Sequence, residues 1–197
     1  MGEPAAIDES STSKKDAEGV ASRLGLTSRS HLGERVPEDC GDFDMRIGRD
    51  GTWYYRGTPI GRKPLAKLFS TVLRRDAEGG YWLVTPVERG RIAVDDAPFV
   101  AVAMETSGDG ADRTVTFVTN LDHIVAAGPE HPIRVAIDRD TGEPRPYVMV
   151  RDGLEALILR PVFYDLVEAG EEREIDGERV LGIWSGGTFF TIGPTGE

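Results

Sequence analysis

The chain has 197 residues but a single cysteine, three histidines and an aromatic fraction of only 8%. With Cys40 alone, no intrachain disulfide can form, and a reducing cytoplasm is the expected compartment. Glu38, Asp39 and Asp42 crowd that thiol and disfavour the thiolate, so Cys40 reads as inert. His31, His123 and His131 form no close ligand pattern with cysteine or with one another, so neither a metal site nor a cofactor is expected. Long apolar runs are also missing. The longest, Phe99 to Met104, has six residues and cannot span a bilayer, so no membrane partner is expected. The first nine residues lack the basic and apolar regions of a secretory signal. Basic charge is scarce: 23 Lys and Arg stand against 34 Asp and Glu, a net charge of −11. That balance argues against binding a nucleic-acid polymer, where a basic footprint dominates affinity.

Motifs that carry chemistry are absent too. There is no phosphate-binding loop of the GxxxxGKS/T type and no strand–GxGxxG–helix unit. Trp184-Ser185-Gly186-Gly187 is not a nucleophile elbow, because Ile183 stands where that motif needs glycine and a strand follows instead of a helix. Asp95-Asp96 looks like a carboxylate pair, but neighbours on a strand point to opposite faces and would not share a proton. No catalytic constellation emerges.

The remainder is an ordinary globular composition, 39% hydrophobic and 29% charged. Residues 1–41 read as an appendage, a short helix opened by a capping box at Ser13–Asp16 and a linker over 25–41. From Phe43 the alternation of Phe43, Met45 and Ile47 marks a half-buried strand. Arg49-Asp50-Gly51 marks a turn, and Trp53–Arg56 a return strand. Pro64 opens a helix whose apolar stripe is Leu65, Leu68, Phe69, Val72 and Leu73, stopped by Gly79-Gly80. Strands follow at Tyr81–Thr85 and Arg91–Val94. Beyond residue 97 come Phe99–Met104, Thr114–Thr119, Ile133–Ile137, Tyr147–Val150, Leu154–Leu159, Val180–Trp184 and Phe189–Ile192, with a short helix from Val162 to Gly170. The expected architecture is a two-part α+β protein: a small sheet with one helix over 43–96, then a β-rich α+β half over 97–197. A repeat is visible. Ile47-x-Arg-Asp-Gly, a strand, Arg62-Lys63-Pro64 and a helix is echoed by Ile137-x-Arg-Asp-Thr-Gly, strands, Arg160-Pro161 and a helix. The order suggests a duplicated core.

Charge is unevenly placed. Cations and acids number 5 and 8 over residues 1–41, 8 and 5 over 42–80, 3 and 6 over 81–119, and 7 and 15 over 120–197. The positive island at 42–80 also holds Trp53, Tyr54 and Tyr55, and basic groups beside aromatics suit a phosphate joined to a ring. Arg62 and Lys63 stand before a helix N-terminus, where a cation is unfavourable unless an anion shares the site. Arg160 before Pro161 repeats the arrangement. The alternative is local pairing, Arg62 with Glu88 and Arg160 with Asp165 or Glu168. The candidate ligand-binding set is therefore Arg62, Lys63 and Arg160 for phosphate, Trp53 or Tyr55 for stacking, and Glu88 to orient the ligand.

Several stretches together resemble a bacterial family, the domain of unknown function 1285. They are Trp53–Ile60, Arg62–Phe69, Tyr81–Glu88, Ile92–Phe99, Leu159–Tyr164 and Gly182–Gly187. The resemblance implies a duplicated α+β core with a second half like pleckstrin-homology folds. It also implies a nucleotide-like ligand at the domain interface and a place in signalling. The leading expectation is a non-catalytic module for an anionic, nucleotide-like small molecule. The alternatives are a protein-interaction adaptor, and an enzyme acting on a nucleotide through Glu88 or Asp95.

Overall fold

A computed structural model describes residues 36–194, together with Gly19 and Ser22. The Ser13–Asp16 capping box and residues 25–35 of the expected linker lie outside the described residues. The linker reading fails at its end, because the first strand already begins at Glu38. The chain divides into two compact units, residues 1–95 and 96–197.

In the first unit, strands β1 (Glu38–Ile47), β2 (Trp53–Tyr55) and β3 (Thr58–Pro59) precede helix α1 (Lys63–Thr71). Strands β4 (Leu73–Arg75), β5 (Tyr81–Val84) and β6 (Glu88–Val94) follow it. They form a six-stranded sheet of order β3-β2-β1-β6-β5-β4. β1 and β6 run parallel at its centre, and every other neighbouring pair is antiparallel. Alternation decides which face is covered. Phe43, Met45 and Ile47 are buried, while Asp44 and Arg46 between them are exposed. The expected turn after β1 is present: Asp50 accepts hydrogen bonds from the Thr52 N–H (3.0 Å) and hydroxyl (2.8 Å), and Gly51 takes φ 79°.

Helix α1 lays Leu65, Ala66, Phe69 and Ser70 against this sheet. Phe69 is fully buried, and its ring stacks 6.0 Å from that of Trp53. Burial of such a ring is worth about 1.5–3 kcal/mol. The helix is shorter than its apolar stripe suggests. It ends at Thr71; the Val72 carbonyl accepts from the Val84 N–H (2.9 Å), and Leu73 pairs with Leu83 as part of β4. Gly79-Gly80 therefore belongs to the β4–β5 turn and does not stop the helix. Apolar residues at helical spacing simply run on into a buried strand position, which periodicity cannot separate.

In the second unit, β7 (Phe99–Ser107), a 3-10 turn (Gly110–Asp112), β8 (Thr114–Thr119) and β9 (Ile124–Ala126) lead to β10 (Ile133–Ile137), β11 (Pro144–Arg151) and β12 (Leu154–Ile158). Helix α2 (Arg160–Glu168) then precedes β13 (Glu171–Ile175), β14 (Glu178–Ser185) and β15 (Thr188–Pro194). The sheets are β10-β11-β12-β7-β8-β9 and β13-β14-β15. Asp152-Gly153 and Asp176-Gly177 adopt paired positive φ angles of 45° and 76°, and 55° and 84°. Two-residue hairpins need that geometry, and it favours Asp-Gly.

Read from β7 onward, the second six-stranded sheet has the same strand order as the first, again with its first and sixth strands parallel at the centre. This equivalence sets β1 against β7 and β4 against β10. The Ile47/Ile137 repeat instead sets β1 against β10, so the sequence echo and the topological one have different registers. The helices differ likewise: α1 lies between the third and fourth strands of its sheet, α2 after the sixth.

Candidate functional site

The residues singled out from the sequence do not converge. Arg62 and Lys63 are exposed at the start of α1, with no acid in the first turn and no side-chain cap. Pro64 offers no N–H there. The Leu65 and Ala66 N–H groups turn back onto the Arg62 carbonyl (2.9 and 3.3 Å), which occupies donors that an anion would need. Trp53 and Tyr55 are only 1% and 7% exposed and face the covered side of the sheet, so neither offers a ring to an incoming ligand. Trp53 pairs with Ile47, which is level with Val94 of β6, whereas Glu88 begins β6 six residues earlier, roughly 20 Å along the strand. Glu88 thus lies at the end of the sheet where α1 finishes, away from Arg62. Arg160 is paired with Glu143 at 2.8 Å in an exposed ion pair, not with Asp165 or Glu168.

Basic and aromatic groups do meet on the opposite, uncovered face of the first sheet. Strand register builds two rows. Tyr54, Arg46 and Ala93 align across β2, β1 and β6; Arg91, Trp82 and Arg74 align across β6, β5 and β4. Arg89 lies two residues from Arg91 and therefore on the same face. The guanidinium of Arg46 sits 4.6 Å from the centre of the Tyr54 ring, and those of Arg89 and Arg91 sit 5.0 and 4.9 Å from Trp82. A guanidinium held over a ring still has N–H donors for other partners; Arg46 gives one to Asp95 and Arg89 one to Asp39.

Four carboxylates share this face, and most are held by other donors. Asp39 accepts from the Gly41 N–H and from Arg89 (2.9 Å), which in that order draw its pKa down. Asp42 accepts from the Asp44 N–H (2.7 Å). Asp76 accepts from the Trp82 indole N–H (2.7 Å) and the Gly80 N–H, and its pKa is lowered, chiefly by the indole. Asp95 pairs with Arg46 at 2.6 Å. Arg74 donates to the Leu73 and Thr71 carbonyls. Among the described residues, Arg91 has no carboxylate within ion-pairing distance; it sits over Trp82, with Asp42 opposite it on β1, and is near enough to Asp39 and Asp76 for its charge to help lower their pKa values. This cluster was hidden from sequence reading because Trp82, Arg89 and Arg91 fall in a stretch of net negative charge. The available signal was the i, i+2 spacing of the two arginines beside a strand tryptophan.

The other candidates have structural explanations. Asp95 pairs with Arg46, whereas Asp96 pairs with Arg145 and accepts from the Tyr147 hydroxyl (2.8 Å), so the two carboxylates point to separate partners. Burial first, and then the hydrogen bond to Asp96, push the Tyr147 phenol up to about 12. Ser185 is fully buried; its hydroxyl donates to the Ala127 carbonyl (2.7 Å) and accepts from the Val115 N–H (2.8 Å). His123 is half-buried, its ring edge-on to Phe99 at 5.0 Å. Among the described residues no group of His, Cys, Asp and Glu could hold a metal ion, and no helix is long and apolar enough to cross a membrane.

Comparison with known families matches residues 33–97 to the domain of unknown function (DUF1285), N-terminal domain. Residues 98–192 match the protein of unknown function (DUF1285), C-terminal domain. Among solved structures, a DUF1285 family protein from Silicibacter pomeroyi DSS-3 is 47% identical, over 89% of this chain and 94% of that one, with a TM-score of 0.78. A DUF1285 family protein from Shewanella baltica OS155 is 26% identical, over 63% of this chain and 90% of that one, with a TM-score of 0.50. Comparison with curated proteins gives no match.

Proposed function

We propose that this chain, which belongs to the DUF1285 family, is a non-catalytic binding module for an anionic, nucleotide-like small molecule, held on the uncovered face of its first sheet. The expected ligand class is kept, and the site moves from the start of α1 to the Arg46–Tyr54 and Arg91–Trp82 stacks. The observation that carries the reading is Arg91, a guanidinium 4.9 Å from the centre of the Trp82 ring that, among the described residues, has carboxylates near it but none within ion-pairing distance. Its in-plane donors suit a phosphate oxygen, and its outer plane suits a base. The ion pairs Arg89–Asp39 and Arg46–Asp95 are exposed, worth about 0–1 kcal/mol each, and so are easily exchanged for a ligand phosphate.

Around this core the reading is of a cytoplasmic signalling component built by duplication. The common strand order of the two six-stranded sheets supports the duplication. A pleckstrin-homology-like second half is part of the same proposal, with two sheets and one helix as its support. Thermal-shift measurements with AMP, GMP, UMP and inorganic phosphate test it. A nucleotide is expected to raise Tm in the native protein and not in Arg91→Ala. Absence of any shift at millimolar concentration refutes the reading.

A protein-interaction adaptor is the second reading, favoured by Ile124, 75% exposed on the edge strand β9. A co-purifying partner that is lost in Ile124→Lys and retained in Arg91→Ala would decide for it.

A further inference from the structure

The net acidity of the chain is not spread over the molecule. Residues 1–95 hold 15 basic and 15 acidic side chains, whereas residues 96–197 hold 8 and 19. The whole excess of negative charge belongs to the second unit, and the first is balanced, so it does not repel a small anion as a net-acidic unit would. On the first sheet, four arginines share the uncovered face with two surface aromatics that stand apart. Tyr54 is on β2 and Trp82 on β5, with β1 and β6 between them. Three strand spacings are about 14 Å. The two-residue offset between Ala93 and Arg91 on β6 adds about 7 Å along the strands, giving a diagonal of about 16 Å. Each ring carries an arginine, so each is a station for a base on the guanidinium and an adjoining phosphate on its N–H donors; at Tyr54 the phosphate takes the place of Asp95, whose exposed pair with Arg46 is weak. One mononucleotide cannot reach both.

From this spacing we infer that the ligand is a dinucleotide, two bases joined through phosphates, with one base at Trp82–Arg91 and the other at Tyr54–Arg46. The inference rests on the binding reading above and names the ligand class of that site. The join between the bases crosses β1 and β6 past Ala93, with Arg46 opposite it and Arg91 two residues along; the phosphates there replace Asp95 on Arg46 and pass Asp42, which lies opposite Arg91. Ala93, small and exposed, leaves the floor between the stations low.

Isothermal titration of the full chain with AMP and with diadenosine pyrophosphate tests the inference. The dinucleotide is expected to bind roughly five-fold or more tightly than AMP, the lower end of what one further stacked base contributes. Tyr54→Ala is expected to bring the ratio of the two affinities close to one, and Tyr54→Phe, which keeps the ring, to preserve it. Trp82→Ala is expected to weaken both ligands. Equal affinities for AMP and the dinucleotide in the native protein would overturn the two-station inference while leaving the mononucleotide reading intact. So would a ratio unchanged by Tyr54→Ala. Absence of binding by either ligand would overturn both readings together.

Discussion

Replacing Gly90 by alanine isolates one contact of the first unit. Gly90 lies on β6 beside β1, and the Phe43 ring covers it so closely that an added Cβ would fall 2.6 Å from Cε1, Cε2 and Cζ of that ring. The backbone raises no objection, since Gly90 is not among the residues with positive φ. Phe43 is 7% exposed and has little space into which to withdraw. Overpacking of this kind costs about 1–3 kcal/mol. Loss of glycine's freedom in the unfolded chain returns about 0.4–1 kcal/mol. The net expectation is a destabilisation of about 1–2 kcal/mol, which lowers the urea midpoint by roughly 0.5–1 M. Trp53 and Trp82 lie in this unit and Trp184 in the other, so tryptophan emission during urea unfolding, followed in a Trp184→Phe background, reads it. In a Phe43→Leu background the ring is gone, and Gly90→Ala should become neutral or slightly stabilising. A Gly90→Ala cost that is the same in both backgrounds, or absent in the native one, would refute the steric reasoning. Gly182 sits under the Phe189 ring in a similar way: an added Cβ would fall 2.5 Å from Cε1 and Cζ of that ring and 2.6 Å from the Phe190 carbonyl oxygen.

Two further outcomes follow from the second unit. Ser185→Ala leaves the Val115 N–H and the Ala127 carbonyl buried without their partner. The expected loss is about 2–4 kcal/mol, seen as a fall in Tm of that unit on the order of 10 °C, and a change under 2 °C would contradict it. Tyr147 should be the tyrosine that titrates near pH 12 in an ultraviolet difference titration, a step that vanishes in Tyr147→Phe. Its folded pKa lies above the unfolded value of about 10, so its stabilisation is complete below pH 10 and disappears as pH rises through about 12. Stability independent of pH between those limits would argue against it.

Much of the fold is legible in the sequence wherever one face of a strand is wet. Thr114–Thr119 and Ile133–Ile137 are found from end to end, because alternation of apolar and polar side chains records burial on one side. Asp50-Gly51 and Asp152-Gly153 are legible because positive φ limits the choice of residue. The strands that escape do so for physical reasons. β13 is Glu171-Glu172-Arg173-Glu174-Ile175, an almost wholly solvated strand without an apolar face. β4 is masked by the helical spacing that precedes it. The candidate site escapes because it is a property of register. Trp82 and Arg91 become neighbours only when β5 pairs with β6, and a charge count along the chain assigns them to an acidic segment. Trp53 and Tyr55 mislead for the converse reason. Aromatic residues on a strand serve whichever face they point to, and the residue between them, Tyr54, is the one that faces out.

The parallel pair at the centre of each six-stranded sheet has a kinetic consequence. In the first unit the middle of the sheet joins the earliest strand to the latest, and the Asp39–Arg89 contact spans 50 residues. While the chain emerges from the ribosome, β1 can recruit β2 and β3, but its inner edge stays open until β6 has been synthesised. Closing that gap is a long-range event that local hairpins cannot hasten. The nascent half-sheet meanwhile presents a bare row of hydrogen-bonding groups. The second unit repeats the delay with β7 and β12. Each six-stranded sheet therefore closes in a late step, when its sixth strand slots in beside its first.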